Sequence, residues 1–187
     1  MNKHISNNIA IIPARMASSR FPGKPMADIN GTPMIGHVYK RTSMCKDLIA
    51  TYVATCDKEI ADYISSIGGV AIMTSNNHDR ASDRTAEAML KAEELLGRKI
   101  DIVVMVQGDE PMVTSEMIQR SIEPFNNRSV NVVNLMCIMD TVEEFEDAVE
   151  GGNAEGLENF KDVTIGVILE KLTTELDIKS GQFIPFK

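Results

Sequence analysis

A cationic loop directly after an apolar run is the part of this sequence best suited to binding a charged ligand. Residues 9–12 read IAII, and residues 13–25 then bring Arg15, Arg20 and Lys24 together with hydroxyls at Ser18 and Ser19. Guanidinium forks match phosphate oxygens, and a lysine ammonium acts as a compact point charge. The sequence therefore predicts a strand that delivers a phosphate-binding loop, with an ordinary basic surface loop as the alternative.

The positive charge of this loop is local. Residues 1–46 hold seven Lys and Arg against one acid, Asp28, whereas the whole chain has a net charge of -8. An acidic protein repels nucleic acids and anionic membranes at long range. We therefore expect a small polyphosphate as the ligand, with no nucleic acid and no membrane as partner. The loop matches neither GxxxxGK followed by Ser or Thr nor GxGxxG, which disfavours a P-loop ATPase and a dinucleotide-dependent dehydrogenase.

A second candidate site lies in residues 104–111, VMVQGDEP, where an apolar run ends in Gln107, Gly108, Asp109 and Glu110. An acid at the end of a strand, close to bound phosphates, is well placed to hold Mg2+, which takes oxygen ligands and shares them with phosphate. We predict Asp109 as the metal ligand. A strand-to-turn transition with solvated acids is the alternative.

The third candidate region is residues 74–87, TSNNHDRASDRTAE, which contains His78 and Arg84. Polar side chains after a strand can read a nucleobase or hold a carboxylate. A helix-capping loop with Ser82 or Asp83 at the start of the helix explains much of the same pattern. His78 is then an ordinary hydrogen-bonded loop residue.

The elements that must position these residues alternate along the chain. Continuous apolar runs at residues 9–12, 50–54, 70–73, 102–106 and 130–136 are typical of strands buried on both faces. Amphipathic helices are predicted at residues 33–45, 58–67 and 83–96, with Ser115 as the N-cap of another and Thr141 with Glu144 at capping-box spacing. This succession predicts a three-layer α/β/α fold with a mostly parallel sheet and ligands at the carboxyl ends of its strands.

The cysteines and the apolar segments indicate in which cellular compartment the protein is expected. Cys45, Cys56 and Cys137 are odd in number and have no CxxC spacing, which favours reduced thiols. The sequence has no signal-peptide pattern at its start and no apolar run long enough to span a membrane. We expect a cytoplasmic protein.

Three segments in order closely resemble the 3-deoxy-manno-octulosonate (Kdo) cytidylyltransferase family, the CMP-Kdo synthetases, within the wider group that includes CMP-sialic acid synthetases. The first reads IIPARMASSRFPGKPMADINGTPMIGHV; the second reads VATCDKEIADYISSIGGVAIMTSNNH and continues to DRTAE; the third reads VMVQGDEPMV. Together they span roughly residues 9–147. The resemblance implies a Rossmann-like nucleotidyltransferase fold.

The resemblance also implies an activity and a set of roles. The activity is Mg2+-dependent transfer of a cytidylyl group from CTP to the anomeric hydroxyl of a 2-keto sugar acid, with release of pyrophosphate and a place in lipopolysaccharide biosynthesis. A homodimer is implied as well. Arg15, Lys24 and Asp109 would be catalytic, Asp109 would ligate Mg2+, and His78, Arg84 and Gln107 would bind substrate. The nucleotide would be held by the first loop, namely by Pro13, Ala14, Arg15, Ser18, Ser19, Arg20 and Lys24.

The sequence departs from the family in three places. Residues 80–83 read RASD where the family has a Ser-Gly-Thr-like turn, so sugar or base reading is expected to differ. Residues 164–169 and 176–186 match the family's tail only faintly, and a substrate-binding arginine is missing there. No Gly-Val-Asp-like motif, which holds a second metal-binding aspartate in the family, occurs in the sequence.

These departures indicate how the chain is divided into parts and leave two alternative functions open. We expect a nucleotide-binding cytidylyltransferase core at residues 1–150 and a divergent segment at residues 151–187, a shortened part for sugar binding and dimerisation. One alternative to the enzyme is a truncated or degenerate CTP-binding module without turnover. Another is a related nucleotidyltransferase with a different sugar or base specificity.

Overall fold

The fold was analysed in a computed structural model, which describes residues 6–17, 21–138, 162–163, 167–170 and 181–186. Ten strands are found in this part of the chain: β1 (Asn8–Ala14), β2 (Asp28–Ile29), β3 (Thr32–Pro33), β4 (Ala50–Thr55), β5 (Val70–Met73), β6 (Ile102–Val106), β7 (Val132–Ile138), β8 (Asp162–Val163), β9 (Val167–Glu170) and β10 (Gly181–Phe186). The four α-helices of the same part are α1 (Met34–Thr42), α2 (Lys58–Ser66), α3 (Ala81–Leu96) and α4 (Ser115–Ile122). Short 3-10 helices occur at Lys24–Met26 and Glu123–Asn126.

The central sheet is mixed but mostly parallel. Its strands follow the order β10-β7-β9-β6-β1-β4-β5, and β8 pairs with β7. β1 lies between β6 and β4, parallel to both, and β4 is parallel to β5. β9 runs antiparallel to β6 and β7, its neighbours on the two sides. The carboxyl ends of β6, β1, β4 and β5 therefore meet at one edge of the sheet.

Helices cover both faces of this sheet. Successive residues of β1 point to opposite faces, so Ala10 and Ile12 lie in one hydrophobic core and Ile9 and Ile11 in the other. The first core is completed by α1, α2 and α4, and the second by α3 through Ala88, Met89 and Ala92. The expected three-layer α/β/α fold with a Rossmann-like, mostly parallel sheet is confirmed.

The predicted element boundaries hold to within a few residues, with two corrections at helix starts. The N-cap of α4 is Thr114, not Ser115, because the Thr114 hydroxyl accepts a hydrogen bond from the Met117 amide at 3.2 Å. Helix α3 begins at Ala81, so neither Ser82 nor Asp83 is its N-cap. Both residues lie in its first turn, where the Asp83 carboxylate suits the positive end of the helix dipole.

Two further elements are shorter at one end than predicted. The last predicted strand starts two residues later than expected, at Val132, because the Val130 amide donates to the Asn127 carbonyl in a turn. The predicted helix at residues 33–45 ends at Thr42, where tighter turns follow. The predicted capping box at Thr141 and Glu144 lies outside the described residues.

Strands from both predicted parts of the chain contribute to the central sheet. β9 and β10, which come from residues 151–187, pair with β6 and β7. The proposed division at residue 150 nevertheless remains a prediction. Cys45 and Cys56 are free thiols, as expected, and burial raises the pKa of Cys45.

Candidate functional site

The three predicted site segments meet at the carboxyl edge of the sheet because they follow three strands of the parallel set β6-β1-β4-β5. The cationic loop follows β1, the QGDEP segment follows β6, and the His78 loop follows β5. The register pairs Ala14, the last residue of β1, with Thr55, the last residue of β4. Side chains far apart in the sequence therefore converge, as expected for ligand sites in α/β sheets.

Two cavities open at this edge, and Arg15 lines both of them. The first, of about 300 Å³, is lined by residues of the cationic loop, its neighbours and the QGDEP segment: Pro13, Ala14, Arg15, Ala17, Lys24, Pro25, Met34, Gln107, Gly108 and Asp109. The second, of about 200 Å³, is lined by the same strand end and by the His78 loop: Pro13, Ala14, Arg15, His78, Asp79, Arg80, Ala81 and Arg84. The exposed Arg15 can therefore contact a ligand that spans both cavities.

Gly108 allows the walls of the first cavity to approach each other. A Cβ atom at Gly108 would lie 2.7 Å from the carbonyl oxygen of Pro13, which is backbone and cannot swing aside. The QGDEP segment thus packs directly against the end of β1. This close approach brings Asp109 within reach of the cationic loop.

Lys24 and Asp109 form an ion pair in the first cavity. The Lys24 ammonium lies 2.5 Å from an Asp109 carboxylate oxygen, and both side chains are partly exposed. Burial, followed by the charge of Asp109, raises the pKa of the neighbouring Glu110. The cavity therefore offers a cation for phosphate and a carboxylate oxygen for a second cation.

The donor set fits magnesium bound in company with phosphate. Mg2+ is usually held by one or two carboxylates plus the oxygens of a phosphorylated substrate. Among the described residues, no group of three or more His, Cys, Asp or Glu side chains could hold a metal ion alone. Asp109 already accommodates a cation, the Lys24 ammonium, and a carboxylate next to a cationic loop suits a metal shared with a ligand.

Arg84 is the unusual residue of the second cavity, because its guanidinium is buried and no described residue pairs a carboxylate with it. Only 3% of the residue is exposed, and its Nη1 donates to the Thr74 hydroxyl. Its Nη2 is buried and has no hydrogen-bond partner within the described part of the chain. A buried charged donor left unsatisfied is costly, so an acceptor on a bound ligand would complete its hydrogen bonding.

His78 is held by Glu87 on α3. The His78 Nε2 lies 2.5 Å from a Glu87 carboxylate oxygen, which also accepts from the Ser75 amide at 2.9 Å. Lys91 donates to the other carboxylate oxygen of Glu87 and to the Met73 carbonyl, both at 2.7 Å. Hydrogen bonds from Lys91, Ser75 and His78, in that order, lower the pKa of Glu87 to about 2.

The structure brings most of the predicted site residues together. Lys24, Gln107 and Asp109 line the first cavity and His78 and Arg84 the second, whereas residues common to both cavities are Pro13, Ala14 and Arg15. Ser18, Ser19 and Arg20 lie outside the described residues. Their predicted roles remain predictions.

Sequence reasoning assigned no role to three residues that shape the site. Gly108 provides the close approach to Pro13, Glu87 orders the His78 loop, and Asp57 binds the backbone of the cationic loop. Asp57 had a usable signal, since it follows β4 much as Asp109 follows β6. The partners of Gly108 and Glu87 depend on loop paths that residue spacing does not reveal.

A family model described as cytidylyltransferase matches residues 9–152, which include both cavities. The chain belongs to the cytidylyltransferase family. The match covers β1 to β7, so every described residue that lines the two cavities falls within it. No helix in the described part of the chain has the length and apolarity needed to cross a membrane.

Curated relatives within this family are similar over about two thirds of the chain. The 3-deoxy-manno-octulosonate cytidylyltransferase of Trichlorobacter lovleyi is 50% identical over 117 residues, which are 63% of this chain and 44% of that protein. The 8-amino-3,8-dideoxy-manno-octulosonate cytidylyltransferase of a Shewanella species is 46% identical over 123 residues, which are 65% of this chain and 49% of that protein. The chain thus spans less than half the length of these two relatives.

A solved structure supports the same family placement. The structure of CMP:2-keto-3-deoxy-manno-octonic acid synthetase complexed with CTP superposes with a TM-score of 0.73 at 28% identity. The superposition covers 89% of this chain and 74% of that chain.

Proposed function

We propose that this chain binds CTP at the carboxyl edge of its sheet and transfers CMP to the anomeric hydroxyl of a 2-keto-3-deoxy sugar acid, releasing pyrophosphate. The observation that carries the proposal is the pair of cavities that share Arg15 in their lining. One contains a lysine and a carboxylate, and the other contains a buried arginine with a donor that no described residue binds. The relatives' names and the CTP in the solved structure support the choice of cytidine and of a Kdo-like acid.

The first cavity takes the triphosphate in this proposal. Arg15 and Lys24 neutralise its charge, with Ser18, Ser19 and Arg20 of the same loop assisting. The Lys24 ammonium exchanges Asp109 for a phosphate oxygen, which frees the Asp109 carboxylate to hold Mg2+. When bound, Mg2+ would act as a Lewis acid that polarises the phosphoryl oxygens and offsets developing negative charge.

Catalysis then rests on positioning and charge stabilisation, as in other phosphoryl transfers. The hydroxyl oxygen of the sugar acid forms a bond to the α-phosphorus, the bond from that phosphorus to the bridging oxygen breaks, and pyrophosphate leaves with the electron pair. The hydroxyl proton passes to solvent. Arg15 and Lys24 stabilise the charge that accumulates on the leaving pyrophosphate.

In this proposal, residues that line the second cavity contact, together with Gln107, the parts of the two substrates other than the triphosphate. Arg84 donates from its unpaired Nη2 to a carbonyl or carboxylate oxygen, and His78, held by Glu87, lies on the same wall. Gln107 faces the sugar acid. The Arg80-to-Asp83 segment beside them alters the reading of the sugar or base relative to the family pattern.

Turnover is tested by following pyrophosphate release from CTP and Mg2+ with Kdo and with its 8-amino-3,8-dideoxy analogue. Release that depends on one of these acids is the expected result. No release with either acid at high protein concentration would contradict autonomous catalysis. CTP binding without release would indicate a binding module, and a preference for UTP or GTP would indicate a different nucleotidyltransferase.

The assembly and the location of the protein belong to the same proposal. We propose a homodimer in the cytoplasm, where CTP is available. Sedimentation velocity gives the assembly directly, and a monomer at micromolar concentration would contradict the dimer.

A further inference from the structure

Asp57 makes a long-range contact that the proposed reaction does not yet use. Its carboxylate accepts a hydrogen bond at 2.8 Å from the backbone amide of Met16, 41 positions earlier in the chain. Met16 directly follows Arg15 in the cationic loop. The contact is therefore a bond between the end of β4 and the loop after β1.

Asp57 makes this contact instead of capping its own helix. It is the N-cap residue of α2, with the extended backbone typical of that position (φ -99°, ψ 120°). Aspartate at an N-cap ordinarily accepts from the amides of the first helical turn. Here its side chain makes no such hydrogen bond. The carboxylate serves the loop rather than the helix.

The carboxylate is held in place from its own side. The Asp57 amide donates to the Thr55 hydroxyl at 3.0 Å, and Thr55 is fully buried at the end of β4. The Cys56 thiol lies 3.6 Å from the same Asp57 oxygen that binds Met16. Because β4 pairs directly with β1, this support comes from the strand next to the one that the loop follows.

The contact between Asp57 and Met16 influences the positions of both cations of the first cavity, Arg15 and Lys24. Arg15 precedes the anchored amide by one residue. On the other side, the Met16 carbonyl accepts from the Gly23 amide at 3.0 Å, and Gly23 is followed by Lys24. Fixing Met16 thus fixes the start of the loop and, through one hydrogen bond, the return of the loop that carries Lys24.

We propose that Asp57 is a positioning residue that anchors the cationic loop through the Met16 amide and so sets the spacing of Arg15 and Lys24 for the triphosphate. It does not touch the nucleotide. The inference rests on the proposed function, since the benefit of the fixed spacing is nucleotide binding. The anchor itself can be measured without any ligand.

The experiment compares three substitutions whose expected effects differ. Asp57→Ala removes both the loop contact and any capping ability. Asp57→Ser keeps a good N-cap residue, but its hydroxyl is too short to reach Met16. Asp57→Asn keeps a carbonyl oxygen that can accept from Met16. Asp62→Ala is the matched control on α2, because Asp62 pairs only with the exposed Lys58 in the contacts described for it.

Two readouts are taken: hydrogen exchange of the Met16 amide without ligand, and calorimetric affinity for CTP with Mg2+. In Asp57→Ala and Asp57→Ser we expect faster exchange at Met16 and CTP affinity at least about tenfold weaker, the effect of losing one charge-assisted hydrogen bond. Asp57→Asn should lie between the wild type and Asp57→Ala, because its neutral oxygen keeps the hydrogen bond without the charge. Asp62→Ala should behave like the wild type, and thermal unfolding should confirm that all variants are folded.

Rescue by serine would overturn the inference, because it would assign Asp57 to helix capping. Unchanged Met16 exchange or unchanged CTP affinity in Asp57→Ala would overturn it as well. If the wild-type chain binds no CTP, the proposed function fails, and Met16 exchange still decides whether the anchor exists.

Discussion

Two side chains at the site carry the argument for a nucleotide, Lys24 and Arg84. Lys24 is bound to a carboxylate that it would release, and Arg84 is buried with one donor that is unused within the described part of the chain. Neither arrangement optimises stability, because an exposed pair is worth little and an unsatisfied buried donor is unfavourable. Both are explained if a ligand supplies a phosphate oxygen in exchange for the carboxylate at Lys24 and an acceptor for Arg84.

Replacing Lys24 tests the phosphate role. We expect Lys24→Ala to weaken CTP binding by about 10- to 100-fold, since it removes one charge-assisted contact to phosphate. Lys40→Ala is the control, because Lys40 is exposed on α1 away from both cavities. Calorimetry measures the CTP affinity of both variants. Equal losses of affinity would show that only the net charge of the protein matters, and would contradict a specific contact between Lys24 and phosphate.

Replacing Arg84 separates function from stability. Arg84→Met keeps the length of the side chain and removes the buried charge, so the free energy of unfolding should change by no more than about 1 kcal/mol. Turnover should nevertheless fall at least about tenfold, because a ligand contact is lost. Urea unfolding and steady-state kinetics give the two quantities, and a parallel collapse of both would contradict a ligand-binding role.

Two contacts between elements determine how the strand ends are arranged. Gly108 lets the segment after β6 pack against Pro13, and Glu87 ties the loop after β5 to α3. Each contact joins segments that the sheet only brings near one another. The parallel sheet thus provides the common edge, and these contacts provide the fit.

A methyl group at Gly108 should separate the two segments. Gly108→Ala places a Cβ against the Pro13 carbonyl, and we expect it to cost about 1–3 kcal/mol of stability and to lower turnover. Gly97→Ala is the control: its cost comes from the positive φ of 63° at the end of α3, away from the site, with open space for the methyl group. Comparable destabilisation with turnover lost only in Gly108→Ala is the expected result, and full activity of Gly108→Ala would contradict the role of this contact.

The Glu87 network predicts how stability depends on pH. The pKa of Glu87 is lowered to about 2 in the folded state from an ordinary value of 4.5. Because the pKa of Glu87 is lower in the folded than in the unfolded state, its ionisation stabilises the fold fully above about pH 4.5. This stabilisation is lost as the pH falls from 4.5 towards 2. Glu87→Gln should be less stable at neutral pH by about 1–2 kcal/mol, with a smaller further loss on acidification.

Urea unfolding at neutral and acidic pH measures this dependence. Glu94→Gln on the same helix is the control, because Glu94 is solvent-exposed. The same pH dependence in Glu87→Gln and the wild type would contradict the network's role.

At the scale of the whole molecule, the sequence predicted the layers and the edge at which the ligand should bind. The continuous apolar runs of β1 and β6, with charged residues directly after them, were enough to predict a phosphate-binding loop after the first strand and an acid near bound phosphate after the other. Ser115 and Thr114 are both good caps and adjacent, so the sequence could not choose between them. The antiparallel position of β9 between β6 and β7 depends on long-range pairing that local pattern does not encode.

The contacts that shape the site in detail also could not be predicted from the sequence. The bond from Asp57 to Met16 and the approach of Gly108 to Pro13 join residues whose proximity depends on loop paths. A parallel sheet sets which strand ends are neighbours. It does not set which backbone amide a side chain reaches.

Calorimetric titration with nucleotide and Mg2+ decides whether the two cavities lined by Arg15 form a CTP site. We expect saturable binding of one CTP per chain, weaker binding of UTP, and a large loss of CTP affinity in Lys24→Ala but not in Lys40→Ala. Absence of CTP binding, or equal binding by the wild type and Lys24→Ala, would contradict this expectation.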